Sequence, residues 1–167
     1  EGRLLKALRD RLQPSLGFNL HNQGGGTSAG NSGKPASISL LAVSSDEAQT
    51  ETPGRLLAKR TCAVIRDALE ALAPGQIARY DESFEVRAFG DNIARWGTPV
   101  VLIETGPYAG DNADQELARL NFVAILTALD GLAAGRVQQA DPARYDTLPV
   151  NGSGILTVLI KNATSLE

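Results

Sequence analysis

The stretch that most constrains the fold runs over residues 96–106. Val100, Val101, Leu102 and Ile103 form an unbroken apolar run that follows Gly97-Thr98-Pro99 and stops at Glu104 and Gly106. A run without alternation, rich in β-branched residues, predicts a strand buried on both faces rather than one with a wet side. Glu104 then stands where that strand leaves its sheet. In open α/β sheets, ligands gather at the carboxyl ends of the strands, so a carboxylate there is a candidate for chemistry. The plainer alternative is an acid that caps a neighbouring helix or pairs with an arginine.

At 167 residues and 43% hydrophobic, the chain has material for one domain with a real core and too little for two large ones. The net charge is −3 with acids and bases interspersed, which argues against a nucleic-acid track or a basic membrane-binding face. No apolar run approaches the length of a membrane span. The expected partner is therefore a small molecule or a peptide, with no nucleic acid and no membrane. The sequence has no methionine and ends in Leu166-Glu167, so it is expected to be an excised piece with a tag remnant at its end. Its single cysteine, Cys62, falls within a helical pattern, where an inert buried thiol is expected before a nucleophile or a metal ligand.

In chain order, Leu4, Leu5, Leu8 and Leu12 mark an amphipathic helix that Pro14 stops. Phe18, Leu20 and their polar neighbours alternate as a short strand running into Gly24, Gly25 and Gly26, and the only histidine, His21, lands at its end. Histidine is the commonest metal ligand and proton carrier, although a lone one is often a structural hydrogen-bonding residue. The Gly33-Lys34 pair suggests a phosphate loop, but Ser28 stands where that motif needs glycine and Pro35 where it needs Ser or Thr. Residues 24–34 read instead as a mobile surface loop. A strand is expected over 36–43. Thr52 caps a long helix with Pro53 in its first turn, and Leu57, Val64, Ile65, Ala68, Leu69 and Leu72 form its apolar stripe up to Pro74-Gly75.

Residues 77–87 read as strand or extended loop, and Gly90-Asp91-Asn92 as a turn into a short helix through Trp96. After Glu104, Asn112 and Gln115 make a capping box for a helix lined by Leu117, Leu120, Ala124, Ala128 and Leu132 and closed by Gly135. Residues 138–149 read as a connector with a turn of helix at 141–145, residues 151–154 as a plain turn, and 155–160 as a further strand. The order of elements predicts a three-layer α/β fold, a mostly parallel (mixed) sheet flanked by helices. Residues 1–135 are expected to form the domain, and 136–167 a connector and the start of a following segment.

His21 and Glu104, each at the end of an expected buried strand and beside glycines, form the constellation of interest. A catalytic zinc usually takes three protein ligands and leaves one position for water, so one histidine cannot hold it alone. A carboxylate that is not a ligand suits the base that takes a proton from zinc-bound water. The motifs Phe18-Asn19-Leu20-His21-Asn22-Gln23, Gly90-Asp91-Asn92-Ile93-Ala94-Arg95-Trp96-Gly97-Thr98-Pro99 and the run from Val100 to Gly106 resemble the carboxyl-terminal half of the carboxypeptidase A-like zinc metallocarboxypeptidases. The resemblance implies that His21 is the third zinc ligand and Glu104 the general base, in a metallopeptidase that hydrolyses carboxyl-terminal peptide bonds. It also implies a fold like part of the zinc carboxypeptidase domain, and a secreted or periplasmic location.

The same resemblance suggests Tyr80 as a substrate-binding tyrosine, against a surface or packing role, and leaves Arg87 and Arg95 as residues that could line the cleft. The family's His-x-x-Glu motif, which supplies the other two zinc ligands, does not occur in the sequence. The piece by itself is therefore expected to be inactive, with an incomplete zinc site. The same scaffold also serves zinc deacylases of N-acyl amino acids, and a non-catalytic peptide-binding domain is a third reading. Exposed sheet edges would allow the piece to self-associate.

Overall fold

The run after Pro99 forms a strand over Val100–Thr105, buried at every residue through Glu104. Around it, the computed structural model describes residues 1–81 and 83–155. In chain order the elements are α1 (Gly2–Leu12), β1 (Gly17–Asn22), β2 (Ser28–Ala29), β3 (Ile38–Ala42), α2 (Pro53–Glu70), β4 (Ile77–Arg79), α3 (Phe89–Arg95), β5 (Val100–Thr105), α4 (Ala113–Ala133), α5 (Arg136–Gln139), α6 (Ala143–Asp146) and β6 (Asn151–Gly152). Of the strand expected over 155–160, residues 156–160 lie outside the described residues.

The main sheet has the order β1-β5-β3-β4. β1 pairs with β5 and β3 with β4 in parallel, while β3 runs antiparallel to β5. The fold is thus α/β with a mixed, mostly parallel sheet, and β5 is interior to it. Alternate residues of β5 and β3 feed two apolar layers. Val101 and Ile103, with Ile38, Leu40 and Ala42, pack under Ala58, Cys62, Ile65 and Leu69 of α2 and Leu120, Ala124 and Ala128 of α4. On the other face, Val100, Leu102, Leu41 and Val43 pack with Tyr80 and with Ile93 and Ala94 of α3. Burial of each large side chain contributes roughly 1.5–3 kcal/mol, so a continuous run such as β5 anchors the sheet more firmly than an alternating strand could.

Helix α2 begins as its sequence predicts. The Thr52 side chain accepts a 3.1 Å hydrogen bond from the Arg55 backbone N–H, with Pro53 in the first turn. Its buried stripe, however, is Ala58, Thr61, Cys62, Ala63, Ile65 and Leu69. Leu57, Val64 and Ala68 are half-buried, and Leu72 lies beyond the helix in an exposed position. Small residues decided the phase of the helix, because Ala58 and Cys62 allow close approach to the sheet. Cys62 is fully buried and burial pushes its thiol pKa up, which keeps it protonated and inert.

Helix α1 forms where its leucine spacing predicts, with Pro14 beyond its end, but it buries none of its residues, and Leu4 and Leu12 are 76% and 62% exposed. Several expectations need correction. Strand β1 is an edge strand with half-buried and exposed residues, not a buried one. Residues 24–34 are only partly surface loop, since Ser28 and Ala29 are buried and pair with β6. Residues 151–154 likewise are not a plain turn, because Asn151 and Gly152 form β6. Asn112 does stand at the start of α4, but its side chain makes no capping bond; its backbone (φ −111, ψ 34) is not in the extended conformation a capping residue needs.

Beyond Gly135, Val137, Tyr145 and Leu148 are buried, and the last two belong to the core beneath α2. The Tyr145 hydroxyl accepts a 3.2 Å bond from the Ala42 N–H, where β3 ends. Lys59 of α2 reaches both Glu51, at 2.9 Å, and Asp146 of α6, at 3.2 Å. Burial disfavours the Lys59 ammonium, yet its two carboxylate partners outweigh that and raise its pKa.

Candidate functional site

Register brings the two residues singled out by sequence to one place. In the parallel pair β1/β5, His21 is the partner of Glu104. Register partners in neighbouring strands point to the same face of the sheet, so imidazole and carboxylate leave the same rim. On the other side of β5, Ser39 is the antiparallel partner of Glu104. Tyr80 follows β4 and is tied to the sheet by its N–H, which donates to the Leu40 carbonyl at 2.9 Å. Its phenol stands within electrostatic reach of the carboxylate: burial raises the Tyr80 pKa, and the charges of Glu104 and Asp81 raise it further. All three residues expected from the sequence therefore share one face.

Their environments differ. His21 is exposed, with Nε2 3.0 Å from Asn19 Oδ1. Glu104 is 6% exposed, and its Oε2 has no hydrogen-bond partner among the described residues. Burial raises the Glu104 pKa, and His21 opposes this only in part. A carboxylate stripped of water and donors is a stronger base than one on the surface, which is how a general base is tuned toward neutral pH.

The raised pKa has a cost in stability. The folded chain binds the Glu104 proton more tightly than the unfolded chain, so the stabilisation is fully present below the ordinary value of 4.5 and is lost as the pH rises through the folded value. Glu104→Gln, which removes the charge, is expected to raise Tm at pH 7 by about 2–4 °C, or about 1 kcal/mol, and to change it little at pH 4. Thermal unfolding at the two pH values checks this.

A polar cluster that sequence reasoning missed lies against Glu104. Gln23 Nε2 donates to Ser39 Oγ at 2.9 Å, Ser39 Oγ donates to Asn151 Oδ1 at 2.6 Å, and Asn151 Nδ2 donates to Gln23 Oε1 at 2.7 Å, closing a ring. Ser39 is completely buried. A serine inside the apolar run 36–43 was a signal, and so was Gln23 two residues past His21 on the same face. Nothing local marked Asn151. Gly106, just past the strand, is glycine for a steric reason, since a Cβ there would lie 2.0 Å from the Ala36 carbonyl oxygen.

The two arginines offered for the cleft are elsewhere. Arg87 is exposed and bonds Glu85, its Nε 3.1 Å from Oε1. Arg95 lines a depression with Val43, Thr98 and Pro99, at the end of β5 opposite to Glu104. At the carboxyl ends of β1 and β5, a cleft of about 450 Å³ is lined by Asn22, Gln23, Thr105, Gly106, Asp114 and Leu117.

As a zinc site, the donor set is partial. His21 is the only histidine in the sequence, and among the described residues no three His, Cys, Asp or Glu side chains converge. His21 and Glu104 supply two polar side chains at one rim, fewer than the three protein ligands a catalytic zinc usually takes. Also among the described residues, no helix is long and apolar enough to cross a membrane. In comparisons with known proteins, no family model matches the chain, and no curated protein or solved structure matches it significantly.

Proposed function

We propose that this chain is the carboxyl-terminal half of the catalytic domain of a zinc metallocarboxypeptidase, contributing the general base Glu104 and one zinc ligand, His21. One observation carries the reading: the parallel register that sets an exposed imidazole opposite a buried carboxyl, its pKa raised by burial, on one rim of the sheet. Bound zinc would supply an acidified water near neutral pH. The Glu104 carboxylate holds the proton released in hydrolysis and returns it to the departing amine. Tyr80, kept protonated by burial and by Glu104, offers its hydroxyl as a donor to a peptide substrate. The remaining zinc ligands would have to come from outside these 167 residues, which hold no His-x-x-Glu. In keeping with the family, the protein acts outside the cytoplasm, and the 167-residue chain alone is inactive. Self-association of that chain would use the outer edge of β1, since Val150 bridges the outer side of β4 at Arg79.

The test uses the natural protein with its upstream sequence, assayed against peptides with free carboxyl termini and against N-acyl amino acids. Release of the carboxyl-terminal residue, lost on chelation and restored by zinc, is expected. Turnover of acyl amino acids alone would mark a deacylase. A zinc-free protein inert on both would leave peptide binding as the role. Stoichiometric zinc retained by the 167-residue chain after dialysis against a weak chelator would contradict the half-site reading.

A further inference from the structure

An imidazole on an exposed edge strand is free to turn and can carry its proton on either nitrogen. His21 is restrained from both. Asn19 lies two residues back on the same face of β1, and its Oδ1 is 3.0 Å from His21 Nε2. A carboxamide oxygen offers only lone pairs, so the ring must supply the hydrogen from Nε2, which leaves the lone pair on Nδ1. Asn19 is itself hemmed in by α3. A Cβ at Gly90 would lie 2.6 Å from Asn19 Nδ2 and 3.3 Å from its Cγ, so only glycine lets the helix sit where it does without pushing the amide aside.

We infer that Asn19 is a positioning residue for His21, fixing the ring with Nε2 protonated and Nδ1 presented to a divalent metal, and that Gly90 provides the space its amide occupies. The metal half of this inference rests on the metallocarboxypeptidase reading, whereas the hydrogen-bond half does not. Metal-bound imidazoles commonly donate their second N–H to an oxygen acceptor, and deleting such an acceptor typically lowers metal affinity about 10- to 100-fold.

Because the chain has one histidine, its ring nitrogens can be followed without ambiguity in the 15N-labelled protein. At about pH 9, where imidazole is neutral, the two 15N shifts are expected at the separate values of a pure Nε2–H tautomer. Asn19→Ala should draw them toward each other as the two tautomers average. Gly90→Ala, which displaces the amide and keeps it in the chain, should do the same with circular dichroism and Tm showing an intact fold. Averaged or reversed shifts in the parent chain, or variants identical to it, would overturn the inference. In the protein carrying the upstream ligands, Asn19→Ala should weaken zinc binding about 10- to 100-fold in competition with a chelating dye, and unchanged affinity would overturn the metal half. A parent protein that binds no zinc would sink the proposed function, while the tautomer result would still decide the role of Asn19.

Discussion

Glu104→Gln is expected to lower the peptidase turnover of the zinc-loaded, upstream-complete protein about a hundredfold to ten-thousandfold, with zinc still bound. That range corresponds to roughly 3–5 kcal/mol of lost transition-state stabilisation. The substitution keeps the size of the side chain and one oxygen acceptor, and removes the charge and with it the ability to hold a proton. It should also stabilise the fold at neutral pH, because the charge it deletes is buried with an unpartnered oxygen. Loss of turnover together with a higher Tm separates a catalytic base from a structural acid, whose removal would lower both. The direction of the Glu104 pKa adds a third mark. The base must be ionised to act, so the acid limb of kcat/KM against pH should fall above the ordinary carboxylate range. Steady-state kinetics over pH 4–9 would show it, and full activity in Glu104→Gln would end the assignment.

Tyr145→Ala is expected to destabilise the chain by about 3–5 kcal/mol, as for other fully buried aromatics cut back to alanine. The ring is completely buried beneath α2 and the Arg79 guanidinium lies 6.0 Å from its centre. Its hydroxyl accepts from the Ala42 N–H, so Tyr145→Phe should cost about 1 kcal/mol by itself. Urea unfolding of the two variants checks both figures. A loss under 1 kcal/mol for Tyr145→Ala would mean that residues past Gly135 are draped on the domain without supporting it.

What the sequence made legible was local or strongly periodic. The apolar run of β5, the Thr52-Pro53 start of α2 and the glycine-flanked strand end at His21 are each written within a few residues. The pairing of His21 with Glu104 was also within reach, because both stood at strand ends of one predicted sheet. Orientation was not. That β3 would enter antiparallel to β5 depends on pairing between residues 59 to 67 apart, and no local signal encodes it. The phase of α2 escaped for a related reason: periodicity gives the spacing of a stripe, while the smallest side chains decide which stripe can approach the sheet. Asn151 was invisible because its role exists only once β6 has met β2 and closed the ring with Ser39 and Gln23.

That ring has a practical corollary for anyone trimming the gene. A polypeptide ending short of position 151 would leave the buried Ser39 hydroxyl without its acceptor and the Gln23 amide oxygen without its donor. The damage would surface first next to the carboxylate, far from the cut, so a shortened version could fold and still be disarmed.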